Sequence, residues 1–355
     1  MSLKLLLLSL TAAALVSGVA GAVYVDQQLA GLDDPVERDA PFFLELEKGT
    51  SFIELARKMQ MRGLIEDAFW LRVRALLEPK LTSIQAGYYR LEPDMSPLAM
   101  VRRMVAGDSH SWALRLPEGW TFAQVRKRLA AQPHLRHTLD GVKGERVMSR
   151  LGSDDMQPEG WFFPASYQYH KGDTDLALLA KAYRRMQKVL DKAWSQRADN
   201  LPLESPYEAL ILASIVERET PLDEEKPRIA GVFIRRLERG MRLQTDPTVI
   251  YGMGERYEGR IGRADLREMT PYNTYRIDGL PPTPIGMPGK IAIQAAVNPA
   301  GGDALYFVAR GDGSHKFSAT LKEHNRAVRE YQLNRRQDYR SFPPVTTEKD
   351  RKNDG

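Results

Sequence analysis

After Lys4 the chain runs from Leu5 to Val25, 21 residues, without a single charged side chain. At ~1.5 Å per residue such a helix matches the ~30 Å hydrocarbon core of a bilayer. The pattern predicts one N-terminal transmembrane helix over residues 5–25. Ala20-Gly21-Ala22 also reads as a small-residue cleavage site, which leaves removal after Ala22 as the alternative. Lys4 and the amino terminus precede the span and nothing basic follows until Arg38, so residues 1–4 are expected in the cytoplasm and the bulk of the chain outside it. Residues 26–41 are polar with Gly31 and Pro35, the pattern of a linker. Phe43-Leu44-Glu45-Leu46-Glu47 then alternates as a strand does, and Thr50-Ser51 opens a helix. Helices are predicted over Phe52 to Met61 and Ala68 to Leu77, followed by a strand around Ser83 to Leu91. A further helix has Ser96 as N-cap, Pro97 at its first position and Gly107 at its end.

The order β-α-α-β in this stretch resembles a LysM-like polysaccharide-binding module, assigned here to residues 42–110; a plain α+β packing unit has the same order. A faint repeat links Gly49-Thr50-Ser51-Phe52 to Gly119-Trp120-Thr121-Phe122, 70 positions on. Two copies do not make a solenoid. They mark instead a second β-to-helix unit that begins near Ser111 and defines a larger α+β domain over residues 111–339. Residues 340–355 are polar and charged, as a disordered tail would be.

Composition narrows the chemistry. The chain has no cysteine, which removes disulfides, a thiol nucleophile and thiolate-bound zinc. Its six histidines show no metal-ligand spacing, and neither a P-loop nor Gly-x-Ser-x-Gly occurs, so no metal or cofactor is expected. A net charge of +5 suits an acidic polymer without demanding one. Arg235, Arg236 and Arg239 sit at a helix end closed by Gly240, where cations suit the dipole, and are not read as a nucleic-acid site.

The strongest local signal begins at Ser205-Pro206-Tyr207-Glu208, a capping box with proline at the first helical position. From Ala209 to Val216 every residue but Ser214 is apolar, so the helix is buried on all sides. Glu217 is the first charge after that run, and Pro221 stops the helix. Burial and the negative end of the helix dipole both favour a protonated carboxyl there, as a general acid requires. An ion pair with a neighbouring arginine is the competing reading, and residue pattern alone leaves the two even. Glu219 lies ~200° around the helix from Glu217, so the two cannot flank one glycosidic bond. The helix therefore offers one carboxylate to a site, and Glu219 is expected to be structural. A second carboxylate, if one is needed, could come from Asp246 or Glu159. The loops around Glu159-Gly160-Trp161-Phe162-Phe163-Pro164, Gln244-Thr245-Asp246, Tyr272-Asn273-Thr274-Tyr275 and Gly279-Leu280-Pro281-Pro282 interleave aromatics with amides and acids, a mixture suited to sugars.

Ala213-Ser214-Ile215-Val216-Glu217-Arg218-Glu219-Thr220, the run from Gly240 to Gly252, Tyr272-Asn273-Thr274-Tyr275 and Gly279-Leu280-Pro281-Pro282 together resemble the YceG-like endolytic murein transglycosylases. The motifs occur in the family's order, and the likeness spans nearly the whole chain, including the single N-terminal span. It implies cleavage of peptidoglycan glycan strands between N-acetylmuramic acid and N-acetylglucosamine, without water, giving 1,6-anhydro ends. It places the family's catalytic glutamate on Glu217; Glu159, Gln244, Asp246, Tyr272 and Asn273, from the surrounding loops, are the candidate sugar-binding residues. It also implies a bacterial inner-membrane protein with an extracytoplasmic catalytic domain and cell-wall synthases as partners. Two other functions remain open: a non-enzymatic glycan-binding scaffold, and a glycoside hydrolase that uses Asp246 or Glu159 to activate water.

Overall fold

A computed structural model of the chain describes residues 3–154 and 157–333, without the side chains of residues 3–12, 14 and 333. The tail expected over 340–355 lies outside the described residues. The fold is α+β, and its strands pair only two by two. The chain divides into two compact units. The first comprises the described residues up to Trp112 together with Gln168–Gly172; the second comprises Ala113–Tyr167 and the described residues from Asp173 onward.

The first unit opens with α1 (Leu3–Ala30), followed by β1 (Phe42–Leu46), α2 (Phe52–Met61), α3 (Ala68–Leu77), β2 (Gly87–Leu91) and α4 (Pro97–Ala106). β1 and β2 are antiparallel, with Leu44 opposite Tyr89. Both side chains point into a core shared with Leu55, Met59, Leu71, Leu98 and Met104. Ser51 closes a capping box with Glu54 at the start of α2. Ser96 caps α4, and Gly107 ends it in the left-handed conformation, at φ +70°, which glycine adopts without a Cβ penalty.

Two expectations need adjustment. Residues 26–41 do not form a free linker. α1 continues to Ala30, Leu32 is part of the core, and Leu29 and Val36 pack against it. These three apolar residues, spaced three and four apart, are enough to lay the segment onto the module. Hydrogen bonds from Leu98 N–H to Leu32 O (3.0 Å) and from Val36 N–H to Met95 O (3.2 Å) fix it there. Among the described residues no helix is long and apolar enough to cross a membrane. The expected span, 5–25, falls within α1, much of whose apolar run has no described side chains.

The second unit is built around one helix. β3 (Ser111–Arg115) leads to α5 (Phe122–Ala130) and α6 (Gly144–Arg150), then β4 (Ser166–His170), which pairs with β3; the division between the units falls inside both strands. The Gly119-Trp120-Thr121-Phe122 repeat has a physical basis, because Thr121 and Gln124 form a capping box as Ser51 and Glu54 do. Next come α7 (Asp175–Ser195), α8 (Pro206–Glu219), α9 (Lys226–Glu238), α10 (Asp246–Met253) and α11 (Lys290–Val297). β5 (Tyr306–Ala309) and β6 (His315–Ser318) form an antiparallel hairpin, and α12 (Leu321–Val328) follows it. α8 is wrapped by α7, α9, α10 and α11, and all its residues from Ala209 to Val216 are buried. The one polar residue among them, Ser214, donates to Ile211 O (2.7 Å) and accepts from Ile285 N–H (2.9 Å), so its hydroxyl is satisfied. Ser205 caps the helix as expected, while Glu208 turns to accept from Glu204 N–H (2.6 Å).

Candidate active site

α8 stays straight and buried until its last turn, where Glu217 and Glu219 diverge by the ~200° that two residues impose. They line different cavities. Glu217 opens onto a cleft of about 410 Å³ with Glu118, Trp120, Gln124 and Lys226. Its Oε1 lies 2.9 Å from Lys226 Nζ, and its Oε2 accepts from Gly289 N–H at 2.9 Å. Lys226 is itself 2% exposed and reaches Asp223 at 2.9 Å. Burial opposes the ammonium charge, but Asp223 and Glu217 outweigh it and raise its pKa above the ordinary value. Glu217 is thus held as one arm of a buried ion pair. Glu118, beside it, is pushed up by burial and then by the Glu217 charge.

Glu219 lies in the larger cavity, about 490 Å³, with Arg236, Gln244, Thr245, Asp246, Tyr275, Tyr306 and His324 among its walls. Its carboxyl is pushed up to about 7, chiefly by burial, with the Thr245 hydroxyl and Arg236 working against the rise and the nearby Asp246 charge adding to it. Thr245 Oγ1 donates to Glu219 Oε1. At neutral pH this is a carboxyl poised between its acid and base forms, half-buried and open to a cavity large enough for sugar.

The loop before α10 supplies the opposite wall. Gln244 adopts the left-handed conformation, φ +51°, uncommon for a residue with a side chain and costly unless its surroundings enforce it. Its N–H donates to Thr274 O (3.2 Å), and Thr245 N–H donates to Thr274 Oγ1 (3.0 Å). Asp246 accepts from the Tyr275 hydroxyl at 2.7 Å, and burial together with that carboxylate pushes the phenol well above its usual range. Arg236, 7% exposed, holds the assembly. It donates to Leu305 O (2.7 Å), Leu243 O (2.8 Å) and Arg242 O (3.1 Å), and its guanidinium lies 5.1 Å from the Tyr306 ring centroid. His324 stacks on Tyr306, and burial followed by the Arg236 charge lowers its pKa, which keeps the imidazole neutral.

Of the residues expected to bind sugar, Gln244 and Asp246 join Glu219. The other three lie elsewhere. Asn273, 1% exposed, spends its side chain closing its own turn, donating to Asp265 O (3.1 Å) and Glu268 O (2.7 Å) and accepting from Tyr275 N–H (3.0 Å). Tyr272 bonds Thr283 through its hydroxyl (2.9 Å) and packs edge-on to Tyr251. Glu159 accepts from Phe122 N–H (3.0 and 3.2 Å) at the start of α5 and from the Tyr251 hydroxyl (3.0 Å). Burial nevertheless pushes Glu159 up to about 7, so it is a second raised carboxyl, in neither cavity.

Sequence reasoning reads Glu219 as structural and Arg236 as a helix-end cation, and does not single out Tyr275. Arg236 does carry a signal, since Ile229, Phe233 and Arg236 share the three-and-four spacing of one helix face, and a cation on the buried face needs a reason. Tyr275 stands within one of the aromatic motifs, three residues from Tyr272. Glu217, expected as the acid, pairs with Lys226 rather than with an arginine and lines the smaller cleft, while Glu219, expected to be structural, has a raised carboxyl in the larger cavity.

An α+β protein with one protonatable carboxyl in a polar and aromatic cavity is the class that fold and site define. The profile of the YceG-like family matches residues 44–330, and the chain belongs to that family. The endolytic murein transglycosylase of Bacillus subtilis (strain 168) is 28% identical over 319 residues, covering 84% of this chain and 87% of the relative. That of Streptococcus pneumoniae serotype 2 (strain D39 / NCTC 7466) is 27% identical over 320 residues, covering 81% of this chain but 57% of its own length. The crystal structure of a YceG-like protein from Listeria monocytogenes superposes with a TM-score of 0.51 at 29% identity, over 81% of this chain and 98% of that one.

Proposed function

We propose that the protein is a membrane-anchored lytic transglycosylase that cuts peptidoglycan glycan strands internally, with Glu219 as its acid and base. The observation that carries this reading is the Glu219 carboxyl, raised to about 7 in a cavity with Gln244, Asp246, Tyr275 and Tyr306. The family supports the reaction class, and the two relatives named above are endolytic murein transglycosylases. The protonated Glu219 gives its proton to the glycosidic oxygen leaving C1 of N-acetylmuramic acid. The C6 hydroxyl of the same sugar then attacks C1, and the Glu219 carboxylate takes the proton that this hydroxyl releases. A 1,6-anhydro end results, no water is consumed, and the carboxyl ends as it began.

The family resemblance places this role on Glu217, which bonds Lys226 and Gly289 N–H in the neighbouring cleft, and that assignment is the alternative to Glu219. Gln244 and Asp246 are the sugar-binding candidates that line the cavity. Asp246 also keeps a hydrolytic reading alive, since a second carboxylate could activate water, although Tyr275 already donates to it. Residues 5–25 of α1 would anchor the chain in the bacterial cytoplasmic membrane, with the second unit on the outer side, where nascent glycan and the wall synthases are found. Mass spectrometry of digested glycan strands tests the whole reading. Anhydro ends are expected; reducing ends would establish a hydrolase, and intact strands a binder.

A further inference from the structure

α3 presents an apolar stripe to solvent. Of the large apolar side chains exposed among the described residues of the first unit beyond α1, Phe69, Leu76 and Leu77 are 52%, 81% and 69% accessible and all stand on this one ten-residue helix. With half-buried Val73 they fall within ~100° of its circumference at 100° per residue. The opposite side, Ala68, Leu71 and Ala75, is in the core. The helix is therefore amphipathic in an unusual sense, apolar both inward and outward. Arg72, beside the outer stripe, and Lys80, just past the helix end, are both exposed.

A chain of ring contacts ties this stripe to α1. Phe69 meets Trp70 edge-on at 5.1 Å between centroids, and Trp70 meets Tyr24 edge-on at 5.7 Å. Tyr24 stands at the C-terminal end of the uncharged run 5–25. Tyr and Trp at the end of an apolar span are the residues that settle at the level of lipid headgroups. Since α1 packs on α3 and continues into the core through Leu32, no slack separates the span from the stripe.

We infer that α3 is a second membrane contact: Phe69, Val73, Leu76 and Leu77 enter the headgroup and acyl boundary of the bilayer that holds α1, with Arg72 and Lys80 meeting lipid phosphates. The inference rests on the anchoring proposed for residues 5–25 and adds to it that the first unit lies on the membrane instead of hanging from it. An interfacial helix needs an apolar face flanked by cations, and α3 has both. A lipid surface suits the stripe better than a protein groove does, because the stripe adjoins the aromatic pair at the end of the span.

The chain lacks cysteine, so single cysteines report cleanly. The full-length protein is reconstituted in nanodiscs containing phosphatidylglycerol, with an environment-sensitive fluorophore at Val16→Cys, Leu76→Cys or Lys48→Cys. Lipid-borne spin labels serve as quenchers. Expected is quenching at Val16 and Leu76, with blue-shifted emission at Leu76, and neither effect at Lys48. Quenching at Val16 with a water-like Leu76 would overturn the α3 contact while leaving the anchor in place. A blue-shifted Leu76 beyond reach of the lipid quenchers would overturn it in favour of a protein partner or a second copy. Equal quenching at Lys48 and Leu76 would overturn the assignment to this stripe, and no quenching at Val16 would remove the anchor and the inference together. An Arg72→Glu, Lys80→Glu pair, which leaves the core untouched, should reduce quenching at Leu76 and leave Val16 unchanged; unaltered quenching would overturn the lipid-phosphate role.

Discussion

Glu217 and Glu219 are two residues apart on one helix, share its buried environment, and meet different partners. Glu217 looks toward α9, where Lys226 waits at 2.9 Å, and Gly289 N–H completes its shell. Glu219 looks toward the loop before α10, where its direct hydrogen bond comes from a neutral hydroxyl and its nearest charges, Asp246 and Arg236, pull in opposite directions. Desolvation of the helix end is common to both. The partner is what differs: an ammonium stands beside Glu217 and a neutral hydroxyl beside Glu219.

The largest effect that could break this contrast is on catalysis. Glu219→Gln keeps the volume and removes the proton, so glycan cleavage should fall by ~10²–10⁴-fold. Glu217→Gln, assayed at a temperature where it remains folded, should still yield anhydro ends. Reversal of that order would return the acid to Glu217.

The next effect is on stability. Removing one arm of a buried ion pair leaves the other uncompensated, and Lys226→Met should cost about 3–5 kcal/mol in denaturant unfolding. Lys226→Met combined with Glu217→Leu should recover much of that loss, because a fully apolar pair has no charge to strand. A Lys226→Met cost below ~1 kcal/mol would mean that the pair does not brace the fold.

What can be read from the sequence, and what cannot, divides along the same line. The helix over 206–219 is legible because Ser205, Pro206 and an unbroken apolar run are local signals. So is the rule that neighbours two apart on a helix face different ways. Which side faces a lysine is not legible. Lys226 comes only after the Pro221 break, and Thr245, Arg236 and Tyr275 reach Glu219 through loops whose paths no periodicity encodes. Asn273 shows the same limit in reverse. Its motif reads as a sugar ligand, yet the buried amide spends both N–H donors and one oxygen lone pair on its own turn and has no donor left for a substrate. The packing of Leu29, Leu32 and Val36 is within reach of the sequence, since their spacing is helical, but Gly31 and Pro35 mask it as a linker.

A smaller effect sharpens the electrostatic side of the comparison. Asp246 raises the Glu219 pKa by repulsion, so Asp246→Asn should lower it. The limb of the pH–rate profile on which activity falls with rising pH reports loss of the Glu219 proton, and it should move to lower pH by a fraction of a unit to about one unit. A shift to higher pH would show that Asp246 acts on Glu219 other than as a neighbouring charge.

The smallest effect sets Glu219 against the other raised carboxyl, Glu159. Both are raised to about 7 from an ordinary value of 4.5, chiefly by burial. A group that binds its proton more tightly when folded stabilises the fold fully below its unfolded pKa and loses that contribution as pH rises through its folded one. The protein should therefore lose stability between about pH 4.5 and 7 on account of these two acids. Each proton contributes at most ~1.4 kcal/mol per pH unit to that slope. Glu159→Gln and Glu219→Gln should each flatten part of it, and the double variant should flatten it further. The two sites differ in access: Glu219 opens to the cavity and Glu159 is enclosed by Phe122 and Tyr251. Bound glycan should consequently change the Glu219 portion of the slope and leave the Glu159 portion as it was. Unfolding of the single variants across that pH range, with and without glycan, measures this directly, and an equal response of both would show that Glu219 is no more open to substrate than Glu159.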